Sequence, residues 1–226
     1  MKGIPKNCWL VDFEFHQPDG ELPRPVCMVA RNFHTGENHH LWLWDDSPAT
    51  LPFPLDEDAL YVSYLASAEL SCHLALDWAL PVHVLDLYAE FCAMTSGLTL
   101  PEGRKLLGAL SFFGIQGIDA EDKKDMRDLA IRGGPFTDSE KRALVNYCQS
   151  DAVALSKLLP AMWPRIDLSR ALIRGRYMKA VARIERIGIP VAKHELTMLR
   201  SRWEAIQASL IGKVDRKYYC NNTQHT

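Results

Sequence analysis

Apolar residues recur at every second position in the segment 9–15, which predicts a β-strand. The first face of this strand is wholly apolar and carries Trp9, Val11, Phe13 and Phe15. Asp12 and Glu14 lie side by side on the other face with Leu10. A carboxylate pair in a largely apolar strand costs free energy unless a positive charge neutralises it. Two interpretations remain open. In the first, a divalent cation or a basic partner binds the two carboxylates; in the second, they are two ordinary acids on a solvent-facing edge strand.

The same patterning predicts an α/β sheet of mixed direction. Four further strands are expected, at Val26–Phe33, His39–Trp44, Leu60–Tyr64 and Val82–Asp86. Short turns join the first three strands, so they are expected to form an antiparallel meander. A helix predicted at Ala66–Trp78 separates the last two strands, which should therefore run parallel to the first strand through helical crossovers.

Helical periodicity dominates from Leu87 onward. The clearest start is a capping box, with Thr137 as N-cap and Glu140 three residues later, and Pro160 is expected to end that helix at about Leu159. Tyr147 and Asp151 lie four residues apart on this helix, so their side chains point to the same side. From the spacing alone, the pair is either a structural hydrogen bond or part of a site.

The last third of the chain is expected to form a helical hairpin. Helical patterns cover Leu168–Ile187 and Lys193–Lys217, with Gly188 between them, so we predict two domains, at 1–165 and 166–226. Residues 1–160 carry 13 Lys and Arg against 23 Asp and Glu, a net charge of −10, whereas residues 161–226 carry 13 against 5, a net charge of +8. The basic segment is either a phosphate-contacting appendage or a solvated helical face.

Composition favours a cytoplasmic protein with a packed core. Hydrophobic residues make up 47% of the chain, and no apolar run approaches the roughly 20 residues that span a bilayer. No apolar segment follows the basic N-terminus, so a signal peptide is not expected. The six cysteines are scattered without a C-x-x-C spacing, which favours reduced thiols over zinc ligands or disulfides.

Taken together, these features resemble the proofreading 3′–5′ exonuclease domain of family A (DNA polymerase I type) polymerases, within the DEDD exonuclease superfamily. Asp12-Phe-Glu14 matches the first motif of that family, and Tyr147 with Asp151 matches the third, where the tyrosine marks the DEDDy branch. The resemblance covers about residues 7–160 and implies an RNase H-like fold.

The middle motif departs from the pattern of the family. That motif places an Asp in a setting such as N-x-x-[FY]-D, whereas this chain has Leu65-Ala-Ser-Ala-Glu69, without the Asn or the aromatic residue. We therefore assign Glu69 as the substitute ligand. Asp86 is expected to cap a helix and is the fallback ligand. The C-terminal helices resemble the segment that joins the exonuclease to the polymerase thumb, but the palm and fingers motifs have no counterpart.

The resemblance implies a metal-dependent mechanism. Asp12, Glu14, Glu69 and Asp151 would hold two Mg²⁺ or Mn²⁺ ions, and Tyr147 would orient the attacking water. The products would be nucleoside 5′-monophosphates from the 3′ ends of single-stranded or frayed DNA. A polymerase domain or subunit is a further expected partner, and a membrane is not. The alternatives are an RNase D-like ribonuclease and a non-catalytic nucleic-acid-binding module with a degraded site.

The resemblance also points to residues that would contact the nucleic acid. Phe13, Phe15 and His16 adjoin the acids and are candidates for stacking on the terminal nucleotide, although the alternation favours the core for both phenylalanines. Backbone phosphates are the expected contacts of the basic residues in the first C-terminal helix, Arg174, Arg176, Lys179, Arg183 and Arg186.

Overall fold

A computed structural model describes residues 3–116 and 120–218 of the chain. Its centre is one five-stranded sheet with the strand order β3-β2-β1-β4-β5. The strands are β1 (Asn7–His16), β2 (Arg24–Asn32), β3 (Asn38–Trp42), β4 (Ala59–Ser63) and β5 (His83–Asp86). The strand that carries Asp12 and Glu14 is therefore the middle strand of the sheet rather than an edge.

The sheet is mixed, as predicted. β1 pairs antiparallel with β2 and β2 pairs antiparallel with β3, whereas β4 is parallel to both β1 and β5. β1 is longer than its parallel neighbour: its pairing with β4 ends at Leu10 opposite Val62, while its pairing with β2 continues to His16. Beyond Leu10, the side of β1 that faces β4 is consequently left without a neighbouring strand.

The part of the chain that the structure describes contains eight α-helices. Their bounds are α1 (Ala66–Ala75), α2 (Leu87–Met94), α3 (Leu106–Phe112), α4 (Ala120–Arg132), α5 (Asp138–Met162), α6 (Leu168–Ile187), α7 (Lys193–Ser201) and α8 (Trp203–Tyr218). None of these helices is both long enough and apolar enough to cross a membrane. All five cysteines of the described chain are free thiols.

The longest helix, α5, starts as predicted and ends later than predicted. Thr137 and Glu140 form the capping box, with each side chain bonded to the other residue's backbone N–H. The predicted end at Pro160 is wrong, because the helix continues to Met162. A proline in the last turn removes only one backbone hydrogen bond, and the apolar contacts of Leu158, Leu159 and Met162 hold that turn against the core.

Apolar residues cover both faces of the sheet. Leu10 and Val62 face α2, α3 and α5 through a cluster that includes Phe91 and Leu155. The opposite face packs against α1 through Val11, Phe13, Tyr61 and Leu70. Because the apolar residues of β1 are buried on both faces, its two carboxylates lie at the boundary of the core rather than on an open edge strand.

α6 packs directly on β5, with Gly175 at the point of closest approach. A Cβ atom at position 175 would lie 1.9 Å from the Val84 carbonyl oxygen and 2.8 Å from its carbon. Both atoms belong to the backbone of a buried strand, so neither can move aside cheaply. Glycine is therefore required here for the helix to contact the strand.

Gly175→Ala is expected to lower the free energy of unfolding by about 2–3 kcal/mol, because α6 must shift away from β5 to relieve the overlap. Gly212→Ala is the matched control: Gly212 lies in α8, and a Cβ there meets no atom within 4 Å. Helix propensity predicts a gain of up to about 1 kcal/mol for that variant. Urea unfolding of both proteins measures the difference, and equal effects would contradict the close contact.

The chain divides into two compact units, at residues 1–187 and 188–226. The first unit includes α6, which packs on α1 and β5. The domain division predicted from the sequence, 1–165 and 166–226, stays a prediction. In the second unit the single helix predicted at Lys193–Lys217 is wrong: the structure has α7 and α8, separated at Arg202, whose φ of −117° is not helical. The tail 220–226 lies outside the described residues.

Candidate active site

Asp12 and Glu14 lie on β1 beyond the end of its pairing with β4. α5 covers the face of β1 that carries these two acids, and the Cys148 thiol donates a 3.1 Å hydrogen bond to the Asp12 carbonyl oxygen. Both carboxylates are partly exposed, whereas Val11 and Phe13 on the other face of the strand are buried. The β1 carboxylates are therefore held at the boundary between the core and the surface.

α5 brings Tyr147 and Asp151 to the same place. The Tyr147 hydroxyl donates a hydrogen bond to the Asp151 carboxylate, one helical turn away. Burial raises the pKa of the Tyr147 hydroxyl above its usual range, and the negative charges of Asp151, Glu14 and Asp12 raise it further. Tyr147 consequently keeps its proton at neutral pH and can donate a hydrogen bond but cannot act as a base.

Glu69 completes the group from the opposite face of the sheet. Its side chain, which is 4% exposed, accepts a hydrogen bond from the Phe13 backbone N–H on the unpaired side of β1. Burial raises the pKa of the Glu69 carboxyl well above its ordinary value, and the charges of Asp12 and Glu14 raise it further. All five residues predicted from the sequence thus meet at one end of β1.

Asp86 holds the helix that carries Glu69. Its carboxylate caps α2 by accepting from the N–H groups of Tyr88 and Ala89, and it also accepts from Leu65 and Ala66 at the start of α1, each at 2.9–3.2 Å. Leu65 has a φ of 74°, a left-handed conformation that costs about 1 kcal/mol in a non-glycine residue. Asp86 is therefore a helix cap, as predicted, and it also positions Glu69.

The four carboxylates suit Mg²⁺ or Mn²⁺ in charge and in donor chemistry, because these ions prefer oxygen ligands. Glu69 Oε2 is buried and has no hydrogen-bond partner among the described residues, so one oxygen remains available to a cation. However, within residues 3–116 and 120–218 no three His, Cys, Asp or Glu side chains are already arranged as ligands of one ion. The acids fit a metal chemically, and binding requires their side chains to reorient.

Glu69→Gln is expected to raise stability at neutral pH. Because the pKa of Glu69 is higher in the folded chain than the ordinary 4.5, the folded protein loses stability as pH rises from that value toward the folded pKa. A glutamine keeps the bond to Phe13 N–H and carries no charge. Urea unfolding at pH 5 and pH 8 should show a larger gain at pH 8, and an equal gain at both values would contradict the assignment.

A cavity of about 420 Å³ opens beside the acids. Its lining includes Glu14 and Phe15 of β1, Tyr147 of α5, and Arg127 and Ile131 of α4. Its volume falls within the range of small-ligand sites, about 300–1,000 Å³. A second cavity of about 470 Å³ lies on the α1 side of the same strand end and also includes Phe15.

The three candidates for stacking on the terminal nucleotide have different environments in the structure. Phe13 is 4% exposed and packs against His73 and Trp78, so it belongs to the core. His16 makes a 2.6 Å hydrogen bond with the Ile131 carbonyl oxygen and so ties β1 to the last turn of α4. Of these three candidates only Phe15 lines a cavity, and it borders both, so it remains the candidate for stacking on a bound nucleotide.

The fold is similar to that of a known nuclease. The chain resembles RNase D of Escherichia coli, an exoribonuclease involved in structured RNA processing, with a TM-score of 0.52 and 14% identity. The mixed α/β fold is therefore similar to the fold of RNase D. The alignment covers 78% of this chain and 45% of that enzyme, so this chain corresponds to less than half of it.

A second solved structure is the EXO domain of Nibbler from Aedes aegypti, with a TM-score of 0.42 and 12% identity over 75% of this chain and 85% of that domain. No family model and no curated protein matches the sequence. The RNase D-like fold confirms the α/β class that the sequence predicted, and the narrower resemblance to the polymerase I proofreading domain stays a prediction.

Three of the basic residues predicted to contact phosphates have structural partners in this RNase D-like fold. Arg186 forms an exposed ion pair with Asp77 at 3.5 Å, and the other two make closer contacts. Arg174 forms a bidentate ion pair with Glu90 of α2, at 2.5 and 2.6 Å. The Lys179 ammonium donates to the carbonyl oxygens of Pro81 and Val82, at 3.0 and 2.8 Å. Both side chains fasten α6 to the rest of the first unit. These contacts of Arg174 and Lys179 could not be predicted from the sequence, because Glu90 and the two carbonyls are remote from α6 along the chain.

Proposed function

We propose that the chain is a metal-dependent 3′–5′ exonuclease that removes nucleoside 5′-monophosphates from nucleic-acid 3′ ends. The observation that carries the proposal is the meeting of Asp12, Glu14, Glu69, Tyr147 and Asp151 at one end of β1. They come from three separate elements, and nothing in the packing of the core requires acids there. Repulsion among the carboxylates costs stability, which a site for cations would explain.

The acids and Tyr147 have different roles in the proposed reaction. Asp12, Glu14, Glu69 and Asp151 would hold two divalent cations, which would neutralise the scissile phosphate and lower the pKa of the attacking water. Tyr147 keeps its proton, so its role is to orient that water by a hydrogen bond. Glu14 and Tyr147 border the 420 Å³ cavity, where the terminal phosphate would lie against them. Phe15 would contact the adjoining base or sugar.

The substrate is DNA or RNA, and different observations favour each. The motif resemblance to polymerase I proofreading domains favours DNA 3′ ends and a polymerase partner. The fold similarity to RNase D favours RNA. The resemblance of the C-terminal helices to the start of a polymerase thumb also favours DNA. Arg174 and Lys179 of α6 are bonded within the first unit, so they are less available to phosphates of either nucleic acid. We therefore propose single-stranded 3′ ends as the substrate. A direct comparison of DNA with RNA decides which sugar the site accepts.

A second candidate function is a nucleic-acid-binding module with an inactive site. Its support is the burial of Glu69, which already bonds to the Phe13 N–H, together with the absence of a ready-made ligand group among the described side chains. Retention of both β1 acids and of the Tyr147–Asp151 pair argues against it, because an abandoned site has no reason to keep carboxylates that repel one another.

A side-by-side assay distinguishes these functions. Single-stranded DNA and RNA of one sequence, both labelled at the 5′ end, are incubated with Mg²⁺, Mn²⁺ or EDTA. The proposal expects a ladder that shortens from the 3′ end in either metal and is absent in EDTA, and the faster substrate identifies the sugar. If neither nucleic acid is shortened but both are retained in a gel-shift assay, the binding module is correct.

A further inference from the structure

Among the described residues that line the cavity beside the acids, the basic one is Arg127 of α4. The same face of this helix, at i, i+3 and i+4, contributes Ala130 and Ile131 to the lining. The bond between His16 and the Ile131 carbonyl fixes the last turn of α4 against the end of β1. Arg127 therefore lines the same cavity as Glu14 and Tyr147 but comes from a different element, α4.

Arg127 differs from the other arginine of its helix. Arg132 is bonded to Glu140 at 2.7 Å, and this ion pair joins α4 to the capping box of α5. Arg127 is exposed and forms no ion pair with any described residue. Its charge is therefore not used to hold the helix in place, although it shares the cavity with Glu14, one of the four acids.

We infer that Arg127 binds the scissile phosphate from the α4 side. This inference rests on the proposed function for the identity of the phosphate. A planar guanidinium can donate two parallel hydrogen bonds to the non-bridging oxygens of a phosphate. Negative charge increases on those oxygens during attack by water, so a fixed positive charge on that side stabilises the transition state more than the bound substrate.

The position also explains why one arginine is tolerated beside the acids. A basic residue among the carboxylates themselves would compete with the cations for the same oxygens. From α4, on the wall of a cavity of about 420 Å³, Arg127 can reach a bound phosphate without occupying the cation positions. The phosphate would thus be neutralised from two sides, by the cations held by the acids and by the arginine.

The test compares Arg127→Gln with Arg142→Gln, a control that removes the same charge from an exposed position on α5 outside the cavity. Arg127→Gln is expected to lower kcat/KM about 10²-fold, mainly through kcat, because removal of one charge-stabilising donor typically costs that much. The control should remain within about twofold of wild type. Arg127→Lys is expected to recover only part of the rate, since an ammonium cannot make the bidentate contact.

Salt dependence of binding provides a readout that a structural role would not change. Affinity for a single-stranded oligonucleotide is measured by fluorescence anisotropy in Ca²⁺ at several salt concentrations. Loss of one phosphate contact should reduce the slope of log K against log salt by about 0.7 in Arg127→Gln and leave it unchanged in Arg142→Gln. Equal slopes in the two variants would overturn the inference.

The two proposals fail separately. If wild-type protein cleaves and the two glutamine variants are equally active, Arg127 is not a phosphate ligand although the chain is a nuclease. If wild-type protein does not cleave, the proposed function fails, and the salt slopes alone decide whether Arg127 contacts phosphate. Melting temperatures of both variants should match wild type, because each side chain is exposed and without an ion pair in the described structure.

Discussion

Asp12→Asn is expected to reduce exonuclease turnover by about 10³-fold while the protein remains folded. Asparagine has the same shape and keeps one side-chain oxygen, but it lacks the negative charge that a divalent cation requires. The variant should also melt at a slightly higher temperature at neutral pH, because the charge of Asp12 raises the pKa of the buried Glu69. Loss of activity with unchanged or increased stability is the pattern typical of a functional acid.

Asp58→Asn is the matched control for this variant. Asp58 is an exposed acid in the turn before β4, and it lies outside both cavities. Its replacement should leave turnover within about twofold of wild type. Initial rates of mononucleotide release in Mn²⁺ and melting curves are measured for the three proteins. An Asp12→Asn protein that keeps a tenth or more of wild-type turnover would contradict a role for Asp12 in holding the cation.

Arg174→Ala is expected to lower the free energy of unfolding by about 3 kcal/mol. The Glu90 side chain is 3% exposed, and Arg174 supplies both hydrogen bonds to its two oxygens. Without the arginine, a carboxylate remains buried and unpaired between α2 and α6. The 35% exposure of Arg174 places the expected loss at the lower end of the range for buried ion pairs, because water screens part of the interaction.

Two further variants separate the buried charge from simple loss of a side chain. Arg176→Ala, on the exposed face of the same helix, should change stability by less than about 0.5 kcal/mol. Replacement of both partners, Glu90→Leu with Arg174→Met, should recover most of the stability because no buried charge remains. Urea unfolding measures all four proteins. Equal losses in Arg174→Ala and the double variant would show that packing, rather than charge, fastens α6.

Local patterns in the sequence were sufficient to predict the sheet and the start of α5. The alternation at 9–15 gives β1, and the capping box gives the first turn of α5, because both signals depend on residues close together in the chain. The end of α5 was not predictable in this way. Its last turn is held by contacts with the core, and such contacts outweigh the local cost of Pro160.

The site was predictable to the extent that its residues follow a known spacing. Asp12, Glu14, Tyr147 and Asp151 fit the motifs, and the structure brings them together with Glu69. What the sequence could not show is the burial of Glu69 and its bond to Phe13, because these depend on where β4 stops beside β1. Arg127 has no motif of its own and is recognised only from the cavity that it lines.

The most direct test of the account is the release of mononucleotides from linear and circular forms of one single-stranded oligonucleotide in Mn²⁺. The products are separated by chromatography and identified by mass spectrometry. We expect nucleoside 5′-monophosphates from the linear form only, because the circular form has no 3′ end. No release from the linear form, or equal degradation of both forms, would contradict an exonuclease site built on Asp12, Glu14, Glu69 and Asp151.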